Sequence, residues 1–291
     1  MRYRDTLLIK PGRRPSLKDI DPASKGHHES EPAAKGEIEH YRGELARMQT
    51  LLYAGKAWSL LIVLQAMDAG GKDGTVNHVL SALNPQGTRV VGFRTPTPDE
   101  AAHDFLWRVH PHAPSRGEIV IFNRSHYEDV LVPRVHKLID KAQIEARCRR
   151  ICAFEEGLAD NGTLILKFFL LIGKEEQLAR FAERLDDPQR NWKISESDYA
   201  ERAYWDDYRI AVEEAIAATG GKRAPWFVVP ANHKWFRNLA VSQIIADTLA
   251  DLQMTYPAPR VDLTDIRRRY HAAKKEERAE EKAAGKPRHE R

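Results

Sequence analysis

The sequence lacks long apolar segments and contains few cysteines. None of its hydrophobic runs approaches the ~18 residues of a membrane-spanning helix, and its first residues lack the apolar core of a signal peptide. Its two cysteines, Cys148 and Cys152, lie four residues apart in a helical pattern, where they share a face and are poorly placed to form a disulfide bond. These absences predict a cytoplasmic protein with no membrane partner.

The sequence also lacks a strong excess of charge of either sign. It contains 46 lysines and arginines against 42 aspartates and glutamates, a formal net charge of +4. The most highly charged segment, 257–291, mixes both signs and has few aromatic residues, which is unlike a nucleic-acid-binding surface. We therefore expect no nucleic-acid partner. A hydrophobic content of 42% in 291 residues predicts a globular enzyme with a substantial core.

Composition divides the chain into three parts. Residues 1–36 are polar and contain four prolines, which predicts an N-terminal arm. Residues 37–256 form the predicted domain, which begins with a helix over 37–54 because apolar residues recur there at helical spacing. Residues 257–291 form a charged, solvated C-terminal tail.

Five short apolar segments in the domain have the pattern of buried strands, and helical patterns lie between them. The strands are predicted at 59–65, 89–93, 118–123, 164–172 and 226–229, and the helices at 73–83, 99–109, 141–159, 174–185, 198–218 and 236–252. Strands that alternate with helices predict a doubly wound, mostly parallel α/β sheet with helices on both faces. Such sheets bind ligands beyond the carboxyl ends of their strands.

A glycine-containing loop, AMDAGGKDGT over residues 66–75, follows the first predicted strand and leads into a helix. Glycines let backbone N–H groups turn toward a phosphate, the helix N-terminus favours an anion, and Lys72 adds a point charge. The segment therefore predicts a phosphate-binding P-loop. Ala66 replaces the first glycine of the usual pattern, and Asp73 replaces the Ser or Thr that contacts Mg²⁺. Asp68, inside the loop, offers a carboxylate to hold metal or to orient an acceptor phosphate.

This loop resembles the P-loop of the polyphosphate kinase 2 family, which carries an aspartate and often lacks the first glycine. Further motifs of that family follow in order, and the similarity extends from about Leu17 to Leu252. The motifs are TPT at 95–97 with HDFLWR at 103–108, IFNRSHYED at 121–129, LKFF at 166–169 with KEEQ at 174–177, and RLDDPQRNWK at 184–193. The resemblance implies a P-loop kinase-like fold with a helical lid at about 184–198.

The resemblance also implies the reaction. It is a reversible transfer of the terminal phosphoryl group of inorganic polyphosphate to an adenine nucleotide, assisted by Mg²⁺ or Mn²⁺, in a homo-oligomer. Many family members read DRSWYNR at the second motif, whereas this chain reads NRSHYED over 123–129, a variant similar to the branch that accepts both AMP and ADP. Since Asn123 replaces an aspartate, the implied metal ligands shift to Asp68 and Asp129. Glu128 is implied to help select the acceptor nucleotide.

Phosphoryl transfer depends mostly on positioning and on cations, which narrows the candidate residues. The predicted catalytic residues are Asp68, Lys72 and Arg124, and Arg124 would stabilise the transferred group. The predicted phosphate and nucleotide contacts are Ala69, Gly70, Gly71, Asp73, Gly74, Thr75, Arg94 and Glu128. A chain of phosphates needs a track of cations, for which the candidates are Arg134, Lys137, Arg190 and Lys193.

Other interpretations remain open on the sequence alone. An ATP-dependent nucleoside monophosphate kinase shares the P-loop and the lid, so only the resemblance and the basic track favour polyphosphate as donor. A non-catalytic nucleotide-binding switch would bind without turnover, and the basic lid argues against it. The track cations also fit ordinary surface charges, and Arg108 fits an ion pair with an acid. Core packing is the favoured role for four aromatic residues, Trp192, Tyr204, Trp205 and Tyr208.

Overall fold

The structure is a computed structural model and describes residues 2–283. It divides into two compact units, of which the first extends through Thr255 and the second begins at Tyr256. The described part of the second unit contains the helix Leu263–Ala283. Between residues 2 and 283, no helix is both long enough and apolar enough to cross a bilayer.

Six strands form a single sheet in the first unit. They are β1 (Leu8–Ile9), β2 (Ser59–Ala66), β3 (Thr88–Gly92), β4 (Ile119–Asn123), β5 (Thr163–Leu171) and β6 (Trp226–Pro230). Their order across the sheet is β1-β6-β5-β2-β4-β3, and every pairing is parallel except that of β1 with β6. The chain winds in opposite directions from β2, so the crevice beyond the carboxyl ends of β2 and its neighbours is the expected ligand site.

Helices cover the sheet, which confirms the predicted doubly wound α/β class. In the first unit they are α1 (Tyr3–Thr6), α2 (Glu31–Gly55), α3 (Lys72–Leu80), α4 (Pro98–Ala102), α5 (Glu128–Val135), α6 (Lys141–Asp160), α7 (Lys174–Asp186), α8 (Glu196–Arg202), α9 (Trp205–Thr219) and α10 (Lys234–Ala250). The second unit contains α11 (Leu263–Ala283). Short 3₁₀ turns lie at Leu17–Asp19, Pro85–Gly87, His110–His112 and Asn191–Lys193. Cys148 and Cys152 are free thiols on α6, as predicted.

Both faces of the sheet are buried, and alternate side chains of β2 pack on opposite faces. Leu60, Ile62 and Leu64 pack into an apolar cluster with side chains of α2, α3 and α10. Leu61 and Val63 pack into a second cluster with side chains of α5, α6 and α9. Successive side chains of a strand point to opposite faces, so a strand covered on both sides must be apolar throughout. This explains why the segment appears in the sequence as a continuous hydrophobic run.

The N-terminal part of the chain differs in detail from the prediction. Helix α2 begins at Glu31, six residues before the predicted start at 37, because Ser30 is extended and Pro32 occupies the first turn, where its missing N–H costs nothing. The polar arm before α2 packs on the domain through Tyr3 and Leu17, which are 1% and 3% exposed. Strand β1 was missed because two residues are too few to display an alternating pattern.

Two predicted helices were wrong in extent. The helix predicted over 99–109 ends at Ala102, because His103 is extended and the Asp104 carboxylate accepts a hydrogen bond from a backbone N–H two residues on, at 3.0 Å. Such a local side-chain bond competes with the helical hydrogen bonds. The single helix predicted over 198–218 consists of two helices, α8 and α9. The break between them lies at residues 203–204.

Candidate active site

The predicted P-loop joins β2 to α3 in the conformation that such a loop requires. Ala69 and Gly71 have φ of 58° and 97°, in the left-handed region that favours glycine. A Cβ on Gly71 would lie 2.0 Å from Nη1 of Arg237, and one on Gly70 would lie 2.4 Å from the Ala66 side chain. Both glycines are therefore needed for space, and Gly71 is also needed for its backbone conformation.

Lys72 is the first residue of α3 and folds back over the loop. Its Nζ donates to the carbonyl oxygens of Ala66 and Met67, at 3.0 and 3.4 Å. Burial, followed by the neighbouring Arg124 guanidinium, lowers the pKa of Lys72 from its ordinary value. The ammonium group lies among the carbonyl oxygens of the loop, where an anionic phosphate would strengthen its charged form.

Asp68 and Arg124 meet across the carboxyl ends of β2 and β4. Nη2 of Arg124 lies 2.9 Å from Oδ1 of Asp68, and Nη1 lies 3.4 Å from Oε2 of Glu128. Gln65 donates to the other oxygen of Glu128 at 3.1 Å. Arg124 has φ of 63°, and its backbone N–H donates to the β2 residue Leu64 at 3.1 Å. Three of the predicted functional side chains thus converge, and the left-handed turn at Arg124 directs its guanidinium toward the loop.

Asp73 and Asn123, the two positions that depart from the usual motifs, contact each other. The Asn123 amide donates to Oδ1 of Asp73 at 2.8 Å, and Nζ of Lys193 lies 3.3 Å from Oδ2. Burial opposes ionisation of Asp73, but the hydrogen bonds from Asn123 and Lys193 outweigh it and lower the pKa of the carboxyl. An aspartate at 123 would face this carboxylate with a like charge, so the amide compensates for the acid at 73.

Asp129 and Arg94 do not join the group formed by Asp68, Arg124 and Glu128. The Asp129 carboxylate accepts a hydrogen bond from Nη2 of the buried Arg108 at 2.8 Å, and Nη1 of Arg108 donates to the Arg94 carbonyl at 2.8 Å. Arg108 therefore pairs with an acid, the alternative that the sequence left open. The Arg94 side chain is exposed.

The remaining loop residues support the backbone. Thr75 is fully buried, and its hydroxyl donates to the Gly71 carbonyl at 3.1 Å. A Cβ on Gly74 would lie 3.0 Å from Nη2 of Arg237. These two residues shape the start of α3.

The predicted track cations do not form one cluster. Lys193 reaches the P-loop through Asp73, whereas Arg190 pairs with Asp187 at 2.9 Å within the predicted lid segment. Arg134 pairs with Glu214 on α9 at 3.0 Å. Lys137 is exposed just after α5, with φ of 54°. Of the four, the structure brings Lys193 to the loop.

A cavity of about 270 Å³ lies beside the loop. Asp68, Arg124 and Glu128 line one side of it. The lining also contains residues that were not among the predicted site residues, Gln177, Ser197, Asp198, Glu201, Arg202, Trp205 and Tyr208. The size suits part of a nucleotide or a few phosphate groups.

Two aromatic residues of this cavity were assigned to the core by sequence reasoning. Trp205 and Tyr208 lie on the first turns of α9, where they pack against the two apolar clusters, as predicted, and also line the cavity. Burial, and then the hydrogen bond to Glu201 at 2.7 Å, raise the pKa of Tyr208, so its hydroxyl stays protonated. Trp192 is 77% exposed, so the core-packing prediction was wrong for it. Aromatic spacing along a helix does not distinguish a core face from a cavity face.

Two buried arginines behind the loop were also missed. Arg180 donates to the carbonyl oxygens of Ala69 and Ala231, at 2.9 and 2.6 Å. Arg237 is 3% exposed and contacts Gly71; burial, followed by the Arg180 charge, lowers the pKa of Arg237 to about 10. The sequence contains one signal for this, since a lone arginine within the apolar helix α10 is unusual.

The turn that carries Arg124 rests on a fully buried ion pair. Nζ of Lys167 on β5 lies 2.5 Å from Oε2 of Glu155 on α6 and also donates to the Tyr127 hydroxyl at 2.9 Å. The Tyr127 hydroxyl in turn donates to Glu155 at 2.9 Å. Burial opposes the charge, but Lys167 outweighs it and holds the pKa of Glu155 below its ordinary value. The pair anchors the segment that directly follows Arg124.

Comparison with known proteins agrees with this arrangement. Residues 28–257 match the profile of a family described as polyphosphate kinase 2. A protein of Meiothermus ruber named AMP/ADP-polyphosphate phosphotransferase is 49% identical over 252 residues, which are 86% of this chain and 94% of the relative. A protein of Rhodopseudomonas palustris named ADP-polyphosphate phosphotransferase is 46% identical over 77% of this chain and 83% of the relative.

A solved structure has the same overall architecture. The crystal structure of polyphosphate kinase 2 from Arthrobacter aurescens TC1 matches with a TM-score of 0.90 and 41% sequence identity. The match covers 94% of this chain and 97% of the other. Sequence and structure comparisons therefore converge on one family.

Proposed function

The chain belongs to the polyphosphate kinase 2 family, and we propose that it transfers the terminal phosphoryl group of inorganic polyphosphate to AMP and to ADP, reversibly. The observation that carries the proposal is the convergence of Asp68, Lys72 and Arg124 at the carboxyl ends of β2 and β4. The names of two relatives, which specify AMP/ADP and ADP as acceptors, support polyphosphate rather than ATP as the donor.

The side chains of the site act by binding and orienting two polyanions. A phosphate acceptor is already ionised near neutral pH, so the reaction needs no strong general base, and cations supply most of the catalysis. Lys72 and Arg124 neutralise charge on the transferred group. Asp68 holds the Arg124 guanidinium at 2.9 Å and orients the acceptor phosphate. Glu128, fixed by Gln65 and Arg124, helps select the acceptor nucleotide.

The donor atoms at the site suit a hard divalent cation such as Mg²⁺ or Mn²⁺, which binds one or two carboxylates together with substrate phosphates. The Asp68 and Asp73 side chains are 25% and 60% exposed beside the loop and would hold such an ion. Asp129, the second ligand predicted from the sequence, is 13% exposed and would first have to leave Arg108. When bound, the ion would screen the charge of the donor and acceptor phosphates.

We propose that the parts of the chain divide the work, with residues 1–36 as an arm, 37–256 as the catalytic domain and 257–291 as a tail. Within the domain, residues 184–198 act as a lid, which the contact of Lys193 with Asp73 supports. Arg134, Lys137 and Arg190 extend the polyphosphate track. The ion pairs of Arg134 and Arg190 are partly exposed and therefore weak, so the phosphates of the donor can replace the carboxylate partners.

The proposal is tested by supplying the purified chain with Mg²⁺, long-chain polyphosphate and either AMP or ADP. We expect initial formation of ADP from AMP and of ATP from ADP, measured by chromatography of the nucleotides. A parallel reaction replaces polyphosphate by ATP with AMP as acceptor. Turnover confined to that reaction would establish an ordinary nucleotide kinase, and nucleotide binding without any turnover would establish a switch.

The lid contact leads to a separate prediction. Replacing Lys193 by alanine removes a cation that lies 3.3 Å from Asp73. We expect the KM for polyphosphate to rise roughly tenfold, the effect of losing one charged contact of about 1.5 kcal/mol, while the KM for the nucleotide changes little. Steady-state kinetics with each substrate varied will measure both constants.

Lys222→Ala is the matched control, because Lys222 is exposed and precedes β6, at the amino ends of the parallel strands rather than at their carboxyl ends. This control is expected to leave both constants unchanged. An unaltered polyphosphate KM in Lys193→Ala would remove the lid from the polyphosphate track.

Two predictions from the sequence stay predictions: that the protein forms a homo-oligomer, and that it is located in the cytoplasm.

A further inference from the structure

A cluster of two histidines and a glutamate joins the N-terminal arm to α2. Nε2 of His28 lies 2.7 Å from Oε2 of Glu37, and Nε2 of His27 lies 3.4 Å from the same oxygen. The three ligand atoms lie within 4.8 Å of one another. The imidazole rings of the two histidines are 4.0 Å apart, so both present their outer nitrogen to one point.

We propose that His27, His28 and Glu37 form a binding site for a transition-metal ion of the Zn²⁺ type. Two imidazole nitrogens and one carboxylate are a ligand set for such ions, whereas Mg²⁺ prefers oxygen ligands. Bonds of about 2.0–2.2 Å in a tetrahedral site place neighbouring ligand atoms roughly 3.3–3.5 Å apart. The observed separations bracket this value, so small side-chain movements suffice to seat the ion, with a fourth position for water.

Outer hydrogen bonds hold two of the three ligands in place. The Tyr3 hydroxyl lies 3.1 Å from Nδ1 of His27, and Gln243 of α10 donates to the free oxygen of Glu37 at 3.0 Å. When Nδ1–H of His27 donates to the phenol oxygen, the Nε2 lone pair faces Glu37. Partners of this kind orient metal ligands and raise their affinity.

The position of the cluster indicates a structural rather than a catalytic role. The ligands come from the arm and from α2, and the outer partner Gln243 also accepts a hydrogen bond from the Tyr3 backbone at 2.6 Å. A bound ion would therefore fasten the arm to the helices that cover one face of the sheet. Binding to the folded chain alone raises its stability by mass action.

The site is tested on the full-length chain after removal of metal with a chelator. Zn²⁺ is titrated into the protein in Mg²⁺-containing buffer by isothermal calorimetry, and Tm is measured with and without Zn²⁺. For the wild type we expect binding of one ion at this site and, at a hundredfold excess over Kd, a rise in Tm of roughly 5–10 °C. Co²⁺ in the same position will report the coordination through its visible absorption.

Variants assign the binding to the three residues. His28→Gln and Glu37→Gln each keep a polar side chain of similar size, and we expect their Zn²⁺ affinity to fall by more than the roughly 10–100-fold that loss of an outer partner costs. Tyr3→Phe removes one outer partner and is expected to lose about tenfold. His40→Gln is the matched control, because His40 is exposed on α2 outside the cluster.

Two results would overturn the proposal. One is a wild type that binds no Zn²⁺, which would leave the cluster as a set of ion pairs. The other is binding that persists unchanged in His28→Gln and Glu37→Gln, which would place the ion elsewhere. Since Gln variants that retain the wild-type Tm without Zn²⁺ are folded, loss of binding in them cannot arise from unfolding.

Discussion

Replacing Lys72 by methionine is expected to lower kcat by about 10²–10³-fold with either nucleotide, the effect of removing one preorganised charge from a transition state. The methionine keeps the apolar stem of the side chain and removes the ammonium group that donates to the loop carbonyls at 3.0 and 3.4 Å. The KM values should change less than kcat, because the charge on the transferred group is greatest during transfer. Steady-state kinetics with polyphosphate will measure the two constants separately.

Two further variants test whether the loss of kcat is specific to residues of the active site. Lys222→Met removes an exposed lysine at the amino ends of the parallel strands and is expected to keep wild-type kinetics. Asp68→Asn keeps the size of the side chain but weakens the contact with Arg124 and the proposed metal site, so we expect a large loss of kcat there too. Wild-type activity in Lys72→Met or in Asp68→Asn would refute the assigned roles.

Replacing Glu155 by glutamine is expected to lower the free energy of unfolding by about 3–5 kcal/mol, because it leaves the Lys167 ammonium without its buried counter-charge. Lys167 and Glu155 are 0% and 2% exposed, so water cannot replace the lost partner. Urea denaturation followed by circular dichroism will measure the change. The turn after Arg124 rests on this pair, so phosphoryl transfer should weaken as well.

Two controls test whether the loss of stability in Glu155→Gln arises from the buried, unpaired charge of Lys167. Asp160→Asn removes one member of an ion pair whose side chains are 68% and 52% exposed, and it should cost less than about 1 kcal/mol. The double variant Glu155→Leu with Lys167→Met removes both charges and should regain much of the lost stability, since a paired apolar replacement leaves no unpaired ion. A Glu155→Gln protein as stable as the wild type would show that the pair contributes no stability.

Elements with a local signal could be predicted from the sequence. The strand predicted at 59–65 is β2, Ser59–Ala66. The loop after it leads into a helix, as predicted. A run of apolar residues and a spacing of glycines both act within a few residues, so their effect does not depend on the rest of the chain. The same holds for the helices predicted at 141–159 and 174–185.

Segments whose apolar residues are buried without forming a regular helix or strand could not be predicted from the sequence. The pattern over 99–109 looked helical, yet Leu106 and Val109 are 6% and 0% exposed in turns rather than on a helix face. Hydrophobic periodicity indicates which side chains are buried, but it does not indicate the backbone conformation in which they are buried. The edge strand β1 exists only because β6 offers it hydrogen bonds.

The sequence by itself determined the fold class, the phosphate loop and the residue types available for phosphoryl transfer. The tertiary structure decided which of them meet. It places Asp129 on Arg108, 21 residues away, and it joins Asp73 to Asn123 and Lys193, at separations of 50 and 120 residues. Pairings over such distances depend on how strands and helices cross in space, which no local pattern records. Charges that look equivalent along the chain therefore acquire different partners and different roles.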